Sequence, residues 1–312
     1  MSNFQVCANA VLPLFIYIVI GVVIRKAGMM NDAENRRFNK ILFTFFYPVL
    51  MFDNIRSAFL TSVFDVRLIA FALAFVTVSV IVITAVVVRI EKNDASRGAM
   101  IQAIYRSNFV LMGVMVVQNI FGKEGLPTAA MLFAFIVPFF NFIAVVLLEH
   151  FRGGRANVWK VALKVLKNPL IIGAAAGIIF SLTGLDMPGV IQNVITGISD
   201  AATPVALIIL GAAFDPAVIT AKGRNIIICI IGRLIIVPMI GLPIAAAMGF
   251  RGPAFVTLLI MMASPSAVSS YPMAVSMDSD GEIAGTAIMI STPLSCLTLF
   301  IWLLIYKNMG IY

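Results

Sequence analysis

Charge is what this chain has least of. Asp, Glu, Lys and Arg make up 12% of its 312 residues, about half the roughly 25% usual in soluble domains. So little charge cannot clothe a water-soluble surface, and 61% hydrophobic residues exclude a disordered chain. The three cysteines, Cys7, Cys229 and Cys296, are too few and too scattered for a disulfide framework or a metal site. The one histidine, His150, follows Glu149 at a basic boundary, a poor place for a metal or a proton pump. The phosphate loop G-x-x-x-x-G-K-S/T, the zinc signature H-E-x-x-H, the nucleophile elbow G-x-S-x-G and the potassium-channel filter are all missing. Phe121-Gly-Lys-Glu-Gly125 lacks the flanks of a phosphate loop and reads as a turn. These absences exclude a cytosolic enzyme, an intrinsic ATPase and a secreted disulfide scaffold, and nothing calls for a cofactor.

What the chain does have is length without charge. Residues 68–88, 125–148, 252–277 and 283–306 are uncharged runs, each at or above the roughly 18 residues of a spanning candidate. The predicted class is an all-α polytopic membrane protein. Ten spans can be drawn, near 9–26, 38–55, 66–89, 98–120, 126–149, 168–184, 192–213, 224–248, 253–275 and 283–306. The second is charge-free only from Ile41 to Phe52, the fourth contains Arg106 and the seventh contains Asp200. No connection exceeds about 20 residues, which leaves no room for an attached soluble domain. The first apolar run has no basic leader and no small-residue cleavage site, so it is expected to be an uncleaved anchor.

The net charge of +8 is a topology signal before it is anything else. On one side of the ten-span drawing the loops hold 15 Lys and Arg, including Arg25, Lys26, Arg36, Arg37, Lys40, Arg89, Arg97, Arg152, Arg155, Lys160, Lys164, Lys222 and Arg224. The other side holds five, Arg56, Arg67, Lys123, Arg251 and Lys307. The positive-inside rule puts the richer side in the cytoplasm and both termini outside a plasma (inner) membrane. Contact with anionic lipid is a secondary consequence, and nucleic acid is not an expected partner.

The two halves carry the same punctuation. A shift of 156 residues lays Pro13 on Pro169, Gly21 on Gly177 and Pro48 on Pro204, and a shift of 155 lays Pro138 on Pro293. The expected organisation is therefore two inverted five-helix repeats, residues 1–150 and 168–312. Five spans is an odd number, so the second copy enters the membrane from the opposite side. Secondary transporters are commonly built this way, because exchanging the conformations of the halves exchanges the open side.

Candidate site residues fall in spans four and nine. Gln102, Arg106, Ser107 and Asn108 are too polar for a lipid-facing helix. Span nine carries Ser264-Pro265-Ser266 and then Ser269-Ser270-Tyr271-Pro272. A proline removes an N–H and clashes with the preceding turn, so an unwound stretch is expected there. If both helices break at one depth their ends can cross, with Asn108 and Ser266 supplying directional hydrogen bonds. The alternative is a packed, kinked helix whose serines satisfy its own carbonyls. Arg106 lies about nine residues into its span, roughly 13 Å along a helix; it either attracts an organic anion or pairs with an acid as a strut. Arg233 is placed similarly in span eight, where snorkelling to the surface is the expected role. Asp200, one turn before Pro204, either couples protons through a carboxyl in apolar surroundings or caps a helix that starts at Ala201.

Across spans four and nine the sequence resembles the auxin efflux carrier family, the group that includes plant PIN carriers and prokaryotic malate or malonate permease-like proteins. The resemblance covers nearly the whole chain. It rests on Asn39-Lys-Ile-Leu-Phe-Thr-Phe-Phe-Tyr-Pro48, Ser107-Asn-Phe-Val-Leu-Met-Gly113, Pro204-Val-Ala-Leu-Ile-Ile-Leu-Gly211 and Ala263-Ser-Pro-Ser-Ala267. It implies crossed, broken helices four and nine, with Asn108 and the Pro265 region at a crossover that contacts a substrate carboxylate. It also implies a scaffold of spans 1, 2, 6 and 7 that forms a homodimer, and an elevator-like transport domain of spans 3–5 and 8–10. The site set is Arg106, Ser107, Asn108, Gly113, Ser264, Pro265 and Ser266, with Asp200 as a possible proton-coupling group. Many relatives carry a proline two residues after the glycine of span four, where this chain has Met115. The long central hydrophilic loop of plant carriers is also absent, so the resemblance implies efflux of a small organic anion rather than auxin. The related sodium-coupled bile acid symporters supply the alternative, a cation-coupled carrier of organic anions.

Overall fold

The computed structural model describes residues 3–58, 65–152, 163 and 165–312. Arg155, Lys160 and Lys164, which enter the loop charge count, lie outside the described residues. Helix α1 (Asn3–Lys26) is followed by α2 (Asp32–Ile41). A reciprocal capping box starts α2: Asn31 Oδ1 accepts from the Glu34 N–H at 2.9 Å, and the Glu34 carboxylate accepts from the Asn31 N–H at 2.7 Å. A π-helical turn (Leu42–Phe46) leads into α3 (Tyr47–Ala58). Then come α4 (Val66–Ile90), α5 (Asp94–Tyr105), α6 (Phe109–Phe121) and, after a 3-10 turn, α7 (Leu126–Arg152).

In the second half, α8 (Pro169–Thr183) begins with Asn168 as its side-chain cap and Pro169 in the first turn. It is followed by α9 (Gly189–Ala212), the short α10 (Ala217–Ala221) and α11 (Gly223–Ile231). A second π-helical turn (Gly232–Ile236) joins α11 to α12 (Val237–Ala247). Helices α13 (Gly252–Ala263), α14 (Ser270–Ser276) and α15 (Gly281–Asn308) complete the order.

Ten spanning helices in two inverted five-helix repeats were the expectation, and the structure corrects it. Among the described residues five helical stretches are long and apolar enough to cross a membrane: Val66–Ile90, Met112–Arg152, Gly189–Ala212, Gly223–Ala247 and Gly281–Asn308. Interruption is one physical reason. The segment drawn as span four is split between α5 and α6, and that drawn as span nine between α13 and α14. Helix α8 has 15 residues, about 22 Å at 1.5 Å per residue, short of a hydrocarbon core about 30 Å thick. Of the repeating prolines, Pro13, Pro138, Pro204 and Pro293 lie inside continuous helices, so their recurrence does not mark where helices stop. The protein is all-α among its described residues and polytopic.

Two packing regimes frame the site. Helices α1 and α9, and α3 and α8, lie close enough that glycine is required. A Cβ on Gly21 would strike the carbonyl of Ile208, one on Gly211 that of Ile18, and one on Gly173 that of Pro48. In contrast, α5 and α13 are buried all round, with Gly98–Tyr105 and Phe255–Ala263 enclosed without interruption. Helix α4 is also strongly apolar but keeps Val78, Ile81, Val82 and Val86 exposed, as a lipid-facing helix does.

Candidate functional site

Span nine breaks where its sequence says it should. Ser264, which precedes Pro265, sits at φ −66°, ψ 156°, the extended region a following proline imposes. Span four has no proline, yet α5 ends at Tyr105 and Arg106 is extended at φ −91°, ψ 118°. Its partner explains why. Ser107 and Ser266 form an antiparallel β-bridge, in which the Asn108 N–H donates to the Pro265 carbonyl at 2.9 Å and the Ala267 N–H donates to the Arg106 carbonyl at 3.1 Å. Each break thus supplies the backbone partners that the other has lost.

The carbonyls released at the ends of α5 and α13 are also accounted for. The Ser266 hydroxyl donates to Ala103 at 2.7 Å. Arg233, in the π-helical turn, is buried and donates to five carbonyls. Nε reaches Ser264 at 2.9 Å, Nη1 reaches Ile104 at 3.1 Å and Tyr105 at 2.9 Å, and Nη2 reaches Met261 at 2.9 Å and also Met262. Snorkelling, the expected role of Arg233, is corrected here. With two helix ends converging on it, the buried guanidinium turns inward.

Arg106 behaves differently. The residue is 3% exposed, and its guanidinium bonds to Asn141 Oδ1 and faces the Met273 sulfur at 2.8 Å. No carboxylate pairs with it among the described residues. It opens onto a cavity of about 440 Å³ shared with Ser107, Asn108, Asp53, Thr203 and Ser269. Asn108 lies between the bridge and α6, and its side chain makes no hydrogen bond among the described residues. The Ser107 hydroxyl is buried and also finds no partner among the described residues, and the same holds for the hydroxyls of Ser264 and Ser270 and the Gln102 Oε1. Such atoms cost about 1–3 kcal/mol each when nothing meets them.

Not every candidate converges on this cavity. Gly113 sits inside α6, away from the break, where a Cβ would lie 2.7 Å from the Phe133 ring. Ser264 and Pro265 act through their backbone carbonyls, and Ser266 spends its hydroxyl on α5. Asp200 is exposed and lines the same cavity as Arg106. It lies well inside α9, which begins at Gly189, so it does not cap a helix start. Tyr47 and Asn141 were missed by sequence reasoning. Tyr47 lines the cavity with a buried hydroxyl that has no partner among the described residues, and Asn141 anchors Arg106. The signals were there, a tyrosine just before Pro48 and an asparagine three residues after Pro138.

A larger cavity of about 800 Å³ opens near Arg36, Lys40, Asp215 and Glu282. Its wall joins α2 to α14 through uncharged hydrogen bonds, Tyr271 Oη to Asn35 Oδ1 at 3.3 Å and Asn39 Nδ2 to the Pro272 carbonyl at 3.4 Å. It holds neither buried arginine, and the smaller cavity carries the candidate site.

Comparison with known proteins points to transport. The sequence pattern of a family described as "Membrane transport protein" matches residues 6–303. A protein of Methanothermobacter thermautotrophicus described as "Uncharacterized transporter" is 24% identical over 300 residues, which cover 96% of this chain and 98% of the relative.

Proposed function

The chain belongs to the membrane transport protein family, and from that premise we propose that it carries a small organic anion, a carboxylate, through the space beside the two helix breaks. It is a secondary transporter, not an enzyme. The observation that carries the anion reading is Arg106: a buried guanidinium with no acid partner among the described residues, opening onto a cavity it shares with the unengaged Asn108 side chain. Placing such a charge in a membrane is costly unless it meets a partner or a polar cavity. A bound carboxylate would complete its donors, and Asn108 would fix the orientation of that carboxylate.

The movement we infer is elevator-like. Helices α4–α7 and α11–α15 would travel as one body against a scaffold of α1–α3, α8 and α9, through which two copies would associate. Two observations support that division. The ion pairs Arg152–Asp278 and Lys222–Asp280 tie the ends of the moving group together, while Arg25–Asp32 and Arg56–Asp53 lie in the scaffold. No ion pair joins the two groups among the described residues. The hydrogen bonds that do cross are uncharged and cheap to exchange: Tyr271 donates to Asn35, Asn39 donates to Pro272 and Ser276, and Asn141 and Asn168 donate to the sulfurs of Met51 and Met277. The finer placement we favour is the malate or malonate permease-like branch of the auxin efflux carriers, in a plasma membrane with both termini outside and with net anion exit driven by an inside-negative potential.

Reconstitution in liposomes tests this directly, with labelled malate, malonate and indole-acetate measured with and without an imposed potential. Saturable, potential-sensitive flux is expected, and an unselective conductance without saturable anion flux would sink the proposal. Proton coupling through Asp200, which lines the cavity, predicts that Asp200→Asn abolishes the pH dependence of flux and spares binding. Unchanged pH dependence would return Asp200 to a packing role. The sodium-coupled alternative needs freed carbonyls, and those of Ile104, Tyr105, Met261, Met262 and Ser264 already accept from Arg233.

A further inference from the structure

We propose that Arg233 is a tethered cation: its guanidinium occupies the place where the carbonyl ends of α5 and α13 would otherwise gather a metal cation, so that anion movement needs neither sodium nor potassium. Anion movement rests on the transport reading above; the electrostatics stand without it.

Each helix C-terminus carries on the order of half a negative charge. Two of them converge here, so the carbonyls of Ile104 and Tyr105 from one half and Met261, Met262 and Ser264 from the other present about one negative charge to a single point. Rings of backbone carbonyls of this kind are how membrane proteins hold alkali cations, especially at interrupted helices. Here the oxygens meet one guanidinium, Nε at Ser264, Nη1 at Ile104 and Tyr105, Nη2 at Met261 and Met262. Five N–H donors face five acceptors, and only the protonated form has five. The charge therefore balances the two helix ends without an exchangeable ion. It also comes from a third element. The π-helical turn Gly232–Ile236 brings Arg233 in from outside both breaks, with Gly232 set 3.0 Å (Cβ position) from the Ile104 side chain. A local cap would have satisfied one helix end; this residue satisfies both, and so couples the two breaks to a single charge. A lysine has three donors and an alanine side chain none.

The test compares the wild type with Arg233→Ala and Arg233→Lys, purified in detergent, by melting temperature in choline, sodium, potassium or methylguanidinium chloride at constant ionic strength. The wild type should melt at one temperature in all four. Arg233→Ala should melt lower in choline and rise saturably with sodium or methylguanidinium, which a packing role would not produce. Arg233→Lys should fall between them and stay indifferent to the added cation. In liposomes, malonate uptake by the wild type should be unchanged when choline replaces sodium, and uptake by Arg233→Ala should become dependent on sodium or methylguanidinium. A saturable sodium response of the wild type overturns the proposal. So does an Arg233→Ala protein that melts like the wild type in choline, or one that no cation restores. If Arg233→Ala does not fold, Arg233→Lys decides, and a sodium-dependent lysine variant refutes it. The melting series needs no transported anion, so failure of malonate to move would count against the proposed substrate and leave this inference standing or falling on its own.

Discussion

Two arginines lie buried at the same pair of helix breaks, and they are in opposite situations. Arg233 has every donor matched to a backbone carbonyl and no cavity of useful size beside it. Arg106 has one side-chain amide and one sulfur, and opens onto about 440 Å³. Burial and charge are shared; saturation is not. A saturated cation holds the framework, whereas an unsaturated one beside space is free to meet a ligand. The lesson is that a buried charge in a membrane protein is read from its partners rather than from its depth.

On that contrast, the largest effect of substitution falls on stability at Arg233. Arg233→Ala strands five carbonyls in a low-dielectric interior, and removing one member of a buried charged contact typically costs about 3–5 kcal/mol. Thermal unfolding followed through the buried Cys229 thiol reads this loss. A variant as stable as the wild type would erase the distinction between the two arginines.

Arg106→Ala should do the reverse, leaving the melting temperature close to that of the wild type while weakening carboxylate binding by about 2–5 kcal/mol. Equilibrium binding of labelled malonate to purified protein separates the two quantities. An equal loss of stability at both sites would mean that Arg106 is a strut after all.

Asn108→Ala removes one donor and one acceptor from the cavity and leaves the bridge intact, since the bridge uses only the Asn108 backbone N–H. A loss of about 1–3 kcal/mol, roughly 5- to 150-fold in affinity, is expected. Unaltered binding, with folding lost instead, would move Asn108 to the structural side of the comparison.

Glu91 supplies the smallest effect and the control outside the membrane. Its carboxylate accepts from the Asn93 and Lys92 N–H groups at 2.8 and 2.7 Å and from Asn225, and these contacts, the Asn93 N–H foremost, hold its pKa below the ordinary value. A depressed carboxylate contributes stability above its unfolded pKa of about 4.3, and loses it as pH falls through the lower folded value. Glu91→Gln should therefore destabilise slightly at neutral pH and make no difference in strong acid. Melting curves at both pH values check it. An effect comparable with that of Arg233 would show that saturation by backbone groups matters as much in water as inside the membrane.

Much of this protein is legible in its sequence. Long uncharged runs require helices that satisfy their own backbone in lipid, so the all-α membrane class follows from composition alone. Pro265 is a local instruction, and the break beside it obeys that instruction. Gln102, Arg106, Ser107 and Asn108 announce a polar stretch where lipid-facing residues belong. Other features are not local. The expected ten spans do not appear as ten membrane-length helices, because apolar runs do not encode where helices stop. Span four breaks without a proline because the Pro265 and Ala267 backbone, more than 150 positions away, offers it hydrogen bonds. Arg106 and Arg233 each stand nine residues into an apolar run, and nothing in either run says which faces a cavity and which meets five carbonyls. Composition and proline chemistry act through neighbours along the chain and can be read there. Saturation of a buried charge depends on acceptors that only the packed chain brings within about 3 Å, and so it was decided by the tertiary structure.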